Sequence, residues 1–258
     1  WKVDEPISEQ PLVTIITRTY KGRSEFLRQA ILSVVNQTYN NIELIVVEDG
    51  GETMMQLVDE FALVENRQIR FYGMDKVGRS VTGNHGLELA NGKYCMFLDD
   101  DDLLFADHVE VLSKELERNV DAVAAYSLAI EVQTDTSTNG RYTELSFETP
   151  QIFKQNFSYE TLLDHNFIPI QSLLFKRSLY LQRGGFETDM SDLEDWNLWL
   201  RYGAGNKFLY VPKTTSLFRT PADPAIRMDR HKSLHKAYFQ AKNRALISAK
   251  RYLHSGQD

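Results

Sequence analysis

Four consecutive aspartates occupy positions 99–102, between two apolar stretches at 94–98 and 103–105. Adjacent carboxylates repel one another, and dissolved salt screens only part of that repulsion over such short distances. We therefore expect positive charge beside them. Hard oxygen ligands at the carboxyl end of a strand suggest Mg²⁺ or Mn²⁺ carrying a phosphorylated substrate. The alternative is a solvated acidic turn that also caps the following helix.

The composition is that of an ordinary globular protein of 258 residues, long enough for one α/β domain or two small ones. The net charge of −7 argues against general nucleic-acid binding, because phosphates would be repelled. Cys95 is the only cysteine, which excludes an intrachain disulfide and fits a reducing compartment. No apolar stretch approaches the roughly 18 to 20 residues that cross a bilayer, and the N-terminus has no signal-peptide pattern. We therefore expect a cytoplasmic protein.

Short β-branched runs alternate with amphipathic segments in the first half of the chain. Buried strands are predicted at 12–17, 42–47, 69–72, 94–98 and 121–132. Helices are predicted from Ser24 onward, at 53–64 and at 78–89. Strands that alternate with helices in this way predict a mainly parallel, Rossmann-like sheet.

The second half of the chain is less regular. The Thr- and Ser-rich stretch 133–150 contains the turn pair Asn139-Gly140 and predicts an exposed hairpin or a mobile loop. Helices are predicted at 158–164, 176–183 and 193–202, the last capped by Ser191 or Asp192, and strands at 171–175, 207–211 and 215–219. A long amphipathic helix with a basic face is predicted at 229–253. It could pack on the core, contact an adjacent domain or partner, or lie on an acidic membrane surface.

Several short motifs occur in one order along the chain. They are Arg18-Thr19-Tyr20, NQTY at 36–39, the stretches at 42–50, 78–86 and 97–102, Gly184-Gly185-Phe186 and EDWNLW at 194–199. Taken together, these motifs resemble the family 2 glycosyltransferases, which are inverting enzymes with the GT-A fold. The resemblance implies an α/β fold with a mostly parallel central sheet flanked by helices, an irregular acceptor-side half and a long C-terminal helix.

The same resemblance covers residues 11–220 and suggests how the chain is divided. Residues 1–10 are polar and aperiodic and are predicted to be a leader. A glycosyltransferase domain at 11–220 would comprise a nucleotide-sugar-binding half at 11–132 and an acceptor-side half at 133–220. Residues 221–258 would form a C-terminal helical extension.

The resemblance implies a donor site at the ends of the first two strands. Its predicted members there are Thr17, Thr19, Tyr20, Glu48 and Asp49. A carboxylate can accept the imide proton of uracil, which gives Asp49 a chemical reason to bind the base, and a tight turn at Asp49-Gly50 is the alternative.

Two departures from the family pattern affect this site. The second turn reads Glu48-Asp49-Gly50-Gly51, where two aspartates and a serine are usual, and Gly83 stands where many members have arginine. Arg79 could supply the missing cation at the donor, or it is an ordinary surface residue.

By the same resemblance, the aspartate run corresponds to an Asp-x-Asp motif. Asp99 would contact the donor ribose and help to hold Mn²⁺ or Mg²⁺, and Asp101 would hold the metal against the two phosphates. Asp100 or Asp102 would assist at the donor through water or cap the next helix. Mg²⁺ takes only one or two carboxylates along with substrate phosphates, so four protein ligands are not required. His231 is a candidate further ligand, with a solvated basic helix face as the alternative.

The family's catalytic base is the second acid of the Glu194-Asp195 pair, which makes Asp195 the predicted base. An acid in the first turn of a helix also has an ordinary purpose, because it faces the positive end of the helix dipole. The residues assigned to the acceptor side are Glu194, Trp196, His165 and Gln171. An aromatic face suits a sugar ring, and a core position is the alternative for Trp196.

The resemblance implies transfer of a sugar, with inversion, from a nucleotide-diphosphate sugar to a hydroxyl of a glycan or glycolipid acceptor. A UDP-sugar is the favoured donor, and polysaccharide assembly is the expected setting. The protein would bind no nucleic acid and would be cytoplasmic, with its C-terminal helix able to reach the inner face of a membrane. A sugar nucleotidyltransferase and a non-catalytic glycosyltransferase-like module of a larger polymer-building protein are the two alternatives.

Overall fold

A mixed sheet of nine strands lies at the centre of the described part of the chain. The computed structural model describes residues 10–62, 67–138 and 141–253, so the predicted leader before Gln10 and the turn pair Asn139-Gly140 lie outside it. The strands are β1 Val13–Thr19, β2 Ile42–Asp49, β3 Arg67–Met74, β4 Tyr94–Phe97, β5 Leu103–Leu104, β6 Ala122–Thr138, β7 Arg141–Glu148, β8 Leu173–Lys176 and β9 Lys207–Pro221. The helices are α1 Ser24–Val35, α2 Met55–Asp59, α3 Arg79–Leu89, α4 His108–Arg118, α5 Tyr159–Asp164, α6 Arg177–Arg183, α7 Glu194–Gly203 and α8 Pro224–Leu253.

The strands are arranged in the order β3-β2-β1-β4-β8-β6-β9-β5, and β7 pairs with β6. β1 is parallel to β2 and β4, and β2 is parallel to β3, as the alternation of strands and helices predicts. β8 is antiparallel to both β4 and β6, and β9 is parallel to β6 but antiparallel to β5. The carboxyl ends of β1, β2 and β4 therefore meet at one edge, which is where open α/β sheets bind their ligands.

Helices cover both faces of the sheet, which explains why its central strands are buried throughout and mainly apolar. Every residue of β1, β2 and β4 is buried. Ile16 and Phe97 belong to the core on the face covered by α3, α6 and α7. Ile15 and Met96 belong to the core on the opposite face, beneath α1, α2 and α4. Successive residues of each strand thus serve two cores.

Several element boundaries differ from the prediction, among them the end of β6, which continues to Thr138 instead of ending at 132. The predicted strands at 207–211 and 215–219 are one strand, β9, because β6 pairs with it along its length through shifts in register. α2 is confined to Met55–Asp59 instead of extending over 53–64. α8 begins at Pro224 rather than at 229, since the fixed φ of proline suits a first helical position and Asp223 Oδ1 accepts a hydrogen bond from the Ala225 N–H at 2.7 Å.

Neither Ser191 nor Asp192 caps α7, contrary to the prediction. The N-cap residue is Leu193, whose φ of 57° lies in the left-handed region and whose side chain makes no cap hydrogen bond. Asp192 instead accepts a hydrogen bond of 2.8 Å from the Ser233 hydroxyl of α8. A left-handed conformation costs a residue with a β-carbon about 1–2 kcal/mol, so contacts elsewhere must hold this turn.

α8 lies along α7 with one face and leaves the other to solvent. Ala241 and Ala245 are buried in the same core as Trp196. Met228 and Phe239 are exposed. The inner face of this helix therefore packs on the core, which was one of the predicted alternatives. Within the described ranges, no helix combines the length and the apolar character needed to span a bilayer.

Candidate functional site

Arg18 supplies the positive charge beside the first of the four aspartates. It lies in β1, where the pairing of Ile16 with Phe97 brings it level with Asp99 at the end of β4. Its Nε and Nη2 atoms donate to the two oxygens of Asp99, each at 2.7 Å, in a bidentate pair. Only 7% of Arg18 is exposed, and its guanidinium lies 5.3 Å from the centre of the Phe186 ring. The pair is therefore held in a largely dry setting.

Arg23 binds the next two aspartates. Its Nη2 atom is 2.8 Å from Asp100 Oδ1 and 2.5 Å from Asp101 Oδ2. The guanidinium stands 4.4 Å from the ring centre of Phe26, which limits where it can move. The Thr19 hydroxyl also donates to Asp100 at 2.7 Å. The Asp100 carboxylate thus finds its hydrogen-bond partners inside the protein, whereas 35% of the Asp101 side chain stays exposed.

Arg219 reaches the aspartate run from β9. Its Nη1 atom donates to the backbone oxygen of Asp101 at 2.7 Å, and its backbone N–H donates to Asp102 Oδ1 at 3.3 Å. Its Nη2 atom donates to Glu144 Oε1 at 3.0 Å. Arg219 therefore joins the aspartate run to the hairpin of β6 and β7.

Asp99, Asp100 and Asp102 differ in the direction in which the protein shifts their pKa. Burial would raise the pKa of Asp99, but the adjacent charge of Arg18 outweighs it and holds that pKa below its ordinary value. Burial outweighs the hydrogen bonds of Arg23 at Asp100 and raises its pKa to about 6. Burial and the charge of Asp101 raise the pKa of Asp102 well above its ordinary value. Asp99 is thus the stable carboxylate, and Asp102 favours its protonated form.

The oxygens of Asp99 and Asp101 fit a divalent metal, because Mg²⁺ and Mn²⁺ prefer hard oxygen ligands and need few from the protein when phosphates share the site. Among the described residues, no group of three or more His, Cys, Asp and Glu side chains is arranged to hold a metal. His231 therefore forms no such group with the aspartates. His231 is exposed on α8, and that helix packs along α7.

α7 presents Glu194 and Asp195 in its first turn. Arg18 Nη1 donates to Glu194 Oε1 at 3.1 Å, so one guanidinium bridges Glu194 and Asp99. Asn166 Nδ2 donates to Asp195 Oδ2 at 3.0 Å. Arg18 thus connects Asp99, a predicted donor residue, to Glu194, the sequence neighbour of the predicted base.

Asp195 has the electrostatic setting of a general base. Burial, together with the negative charge of Glu194, raises its pKa to about 6. Its side chain nevertheless keeps partial access to solvent. A base whose pKa lies close to the working pH accepts a proton more readily than an ordinary carboxylate while remaining ionised near neutrality.

Glu48 and Thr17 are buried at the ends of their strands. Glu48 is fully buried, and its carboxylate accepts hydrogen bonds from the Thr53 hydroxyl and the Met54 N–H. The structure therefore places Glu48 as a brace for the turn before α2, with no surface left for a ribose. Thr17 is 1% exposed, and its hydroxyl has no hydrogen-bond partner among the described residues.

Asp49 and Tyr20 both lie beside Lys76 at this edge, Asp49 as a buried residue that is 7% exposed. Asp49 Oδ2 is 2.6 Å from Lys76 Nζ, and Asp49 Oδ1 accepts from the N–H groups of Val77 and Gly78 at 2.7 and 3.1 Å. Lys76 Nζ also lies 5.3 Å from the centre of the Tyr20 ring, which is 49% exposed. The two predicted donor residues are thus neighbours, and Tyr20 offers an open aromatic face.

Phe186 and Arg18 fill the space beside Gly83. A β-carbon at Gly83 would lie 2.6 Å from Phe186 Cε2 and 3.3 Å from Arg18 Cδ. Arg79, the predicted substitute cation, has 59% of its side chain exposed and lies 3.8 Å from Glu194. The structure thus places two cations, Arg18 and Arg79, near this glycine.

The predicted acceptor residues divide into accessible and buried ones. His165 keeps 35% of its side chain exposed, 3.0 Å from Asp164. Gln171 is fully buried, and neither side-chain amide atom has a described partner. Trp196 is 1% exposed and donates to the Leu162 carbonyl at 2.7 Å. Its assignment to the acceptor pocket is therefore wrong, because α8 and the core cover its ring.

The contacts of Arg23, Arg219 and Asn166 were not anticipated from the sequence. A signal existed for Arg23, since it follows the strand that pairs with β4, and a run of carboxylates at the end of β4 requires neighbouring charge. Arg219 and Asn166 gave no comparable signal, because each reaches the site from a remote element.

Gly83→Ala is expected to lower the free energy of unfolding by about 1–3 kcal/mol, because the new methyl group must displace Phe186 or Arg18. Combining it with Phe186→Leu should recover part of this loss, since the shorter side chain vacates the clashing positions. Urea denaturation of the four proteins of this double-mutant cycle measures the coupling. Simple additivity of the two losses would contradict the contact.

Comparison with known proteins agrees with this geometry. The model of the family "Glycosyl transferase family 2" matches residues 14–181. An uncharacterized glycosyltransferase of Haemophilus influenzae is 31% identical over 172 residues, covering 65% of this chain and 63% of that protein. Glycosyltransferase GlyA of Streptococcus pneumoniae is 26% identical over 238 residues, covering 86% of this chain and 32% of that protein. The chain thus spans less than two thirds of either relative.

Solved structures share the architecture. S. aureus TarS in complex with UDP matches with a TM-score of 0.63 at 16% identity, over 86% of this chain and 64% of that one. The mannosyltransferase PcManGT of Pyrobaculum calidifontis, in complex with GDP-Man and Mn²⁺, matches with a TM-score of 0.62 at 16% identity, over 97% of this chain and 77% of that one. These likenesses confirm the predicted GT-A fold. With its sheet, its helices and the match over residues 14–181, the chain belongs to glycosyl transferase family 2.

Proposed function

We propose that the chain transfers a sugar from a nucleotide-diphosphate sugar to a hydroxyl of a glycan or glycolipid acceptor, with inversion at the anomeric carbon. The observation that carries this proposal is the bridge from Asp99 through Arg18 to Glu194, the neighbour of Asp195. A single displacement needs the donor and the base on opposite sides of one carbon, in fixed positions. A buried guanidinium that binds both acid groups supports that arrangement.

The donor is proposed to be a UDP-sugar lying along the carboxyl ends of β1, β2 and β4. TarS has been solved with UDP and with UDP-GlcNAc, and PcManGT with GDP-Man and Mn²⁺, which supports a nucleotide sugar here. Tyr20 and Asp49 would receive the base, and Asp99 the ribose. Asp101 and Asp99 would hold Mn²⁺ or Mg²⁺, which when bound neutralises charge on the departing diphosphate. Arg23 would then have to share or release the Asp101 oxygen.

Asp195 is proposed to accept the proton of the acceptor hydroxyl while that oxygen attacks the anomeric carbon. The new carbon–oxygen bond forms as the bond between the anomeric carbon and the diphosphate breaks, and the nucleoside diphosphate leaves with the electron pair. Asn166 donates to Oδ2 of Asp195 and thereby supports the orientation of the carboxylate.

A panel of nucleotide sugars, assayed with and without Mn²⁺ and with candidate acceptors, tests the proposal. Release of a nucleoside diphosphate together with a glycosylated acceptor is the expected result. Formation of a nucleotide sugar from a sugar phosphate and a nucleoside triphosphate would identify a nucleotidyltransferase instead. Absence of turnover with every donor would indicate a non-catalytic module.

Asp101→Asn is expected to lose the Mn²⁺-dependent part of its UDP affinity, because the amide cannot replace a charged ligand. Calorimetry of UDP binding with and without Mn²⁺ measures this. Asp107→Asn, a nearby aspartate that pairs with Lys213 on the surface, is the matched control. Unchanged Mn²⁺ dependence in Asp101→Asn would remove Asp101 from the metal site.

Transfer is expected to fall as the pH drops through about 6, because Asp195 must be ionised to accept a proton and its pKa is raised to about 6. An ordinary aspartate would place this limb near pH 4. The pKa of Asp100 is also raised to about 6, so the profile must be repeated in Asp100→Asn. The pKa of Asp102 is raised as well, so Asp102→Asn is profiled in the same way. A limb that stays in both variants belongs to Asp195, and one that disappears belongs to the residue replaced.

A further inference from the structure

α8 contacts both stretches of chain that lead to the candidate base. On one side, the Ser233 hydroxyl donates to Asp192 at 2.8 Å, three residues before Asp195. On the other side, the Tyr238 hydroxyl donates to the backbone oxygen of Asp164 at 2.7 Å, two residues before Asn166. Because Asn166 and Asp195 are hydrogen-bonded to each other, α8 fixes both partners of that contact.

The same helix also contacts α7 directly. The Tyr238 ring stacks on Trp196, with ring centres 5.0 Å apart and planes 28° from parallel. Asn197 Nδ2 donates to the backbone oxygen of Ala241 at 3.0 Å, in a fully buried position. The residues on either side of the α7 first turn are therefore tied to one rigid element.

The turn before α7 depends on such support. Leu193 is held at a φ of 57°, and no side chain caps the helix. An unfavourable backbone conformation persists only where surrounding contacts impose it. Of the contacts next to it, Arg18 of β1 holds Glu194 and Ser80 of α3 holds the Met190 carbonyl. The contact that holds Asp192, the residue directly before Leu193, comes from Ser233 of α8.

We propose that α8 is the positioning element of the candidate base, with Tyr238 as its principal positioning residue. This inference rests on the proposed function of Asp195 and adds to it a role for the C-terminal helix. Tyr238 touches neither donor nor acceptor in this scheme. It acts by holding Trp196 and Asp164, and through them the pair of Asp195 and Asn166.

Tyr238→Phe isolates this role, because it keeps the ring stacked on Trp196 and removes only the hydroxyl that binds Asp164. Turnover is expected to fall roughly tenfold while the donor KM changes less than about twofold, since a small displacement of a base affects the chemical step and not donor binding. Ser233→Ala should lower turnover in the same sense through Asp192. Tyr39→Phe is the matched control and should leave turnover unchanged. It removes a hydroxyl that donates a hydrogen bond of 2.5 Å to the Pro11 carbonyl, in the core on the opposite face of the sheet.

Amide hydrogen exchange followed by mass spectrometry gives a readout that does not need turnover. In Tyr238→Phe, exchange should quicken in peptides covering 164–168 and 192–197, and it should not quicken there in Tyr39→Phe. Unchanged exchange in those peptides would overturn the proposal, as would wild-type turnover in both Tyr238→Phe and Ser233→Ala. If the unaltered chain transfers no sugar, the proposed function fails, and the exchange measurement alone decides whether α8 holds Asp195 and Asn166 in place.

Discussion

Asp195→Asn is expected to lower the turnover of sugar transfer by about 10²- to 10⁴-fold, which is the usual contribution of a positioned general base. The amide has nearly the same shape as the carboxylate, and its oxygen can still accept the hydrogen bond of Asn166. It cannot accept a proton from the acceptor. The loss should therefore appear in kcat, because the residues assigned to donor and metal are untouched.

Two measurements check this result. A transferase assay gives kcat and the donor KM, and calorimetry gives the affinity for UDP in the presence of Mn²⁺. Asp121→Asn is the matched control, because Asp121 is a surface aspartate paired with Lys207 at 2.9 Å. A turnover of Asp195→Asn within tenfold of the unaltered chain would show that another group removes the proton, and a parallel loss of UDP affinity would show a structural defect instead.

The sheet and its nearest helices could be predicted because their causes are local. β1 and β2 are buried on both faces, so apolar and β-branched residues predominate in them. α1 was predicted within one residue, since Ser24 is its first residue and not its cap, and its buried residues follow helical spacing. β9 was predicted as two strands because its continuity depends on β6, which lies some 80 residues earlier and gives no sign within the local sequence.

For the predicted site residues, too, only the locally determined features could be predicted. Their positions at strand ends follow from the parallel sheet, but the direction of each side chain depends on its neighbours. Glu48 and Asp49 are adjacent in sequence, yet Glu48 turns inward to brace α2 and Asp49 lies beside Tyr20 and Lys76. Trp196 follows Asp195 directly but points into the core beneath α8.

The expectation of positive charge beside the aspartates is met within the protein by Arg18, Arg23 and Arg219. A bound metal would add to this set of charges. Asp100 and Asp102 are already buried among protein partners, so the partly exposed Asp101 and the carboxylate of Asp99 are the two that a metal and a donor could reach. The structure thus divides the four aspartates by their accessibility, which the sequence could not do.

Arg18→Met is expected to lower the free energy of unfolding by about 3 kcal/mol, the lower end of the usual loss when one partner of a buried ion pair is removed. Methionine keeps much of the apolar stem that packs near Phe186, so the change tests the charge. Asp99 and Glu194 would then face each other without the cation between them. The loss is placed at the lower end because 27% of the Asp99 side chain is exposed.

The pH dependence of stability distinguishes the loss of this ion pair from a general loosening of the structure. Arg18 holds the pKa of Asp99 below its ordinary value, so the stabilisation is present above that ordinary value and is lost as the pH falls through the lowered one. The difference in stability between the two proteins should therefore shrink below about pH 4, where an unpaired Asp99 takes up a proton. Urea denaturation at pH 7 and at about pH 3 measures it, with Arg28→Met as the control, because its pair with Glu60 is exposed. A deficit in Arg18→Met that stays constant between the two pH values would mean that the guanidinium acts through packing alone, and the bridge between Asp99 and Glu194 would then have no electrostatic role.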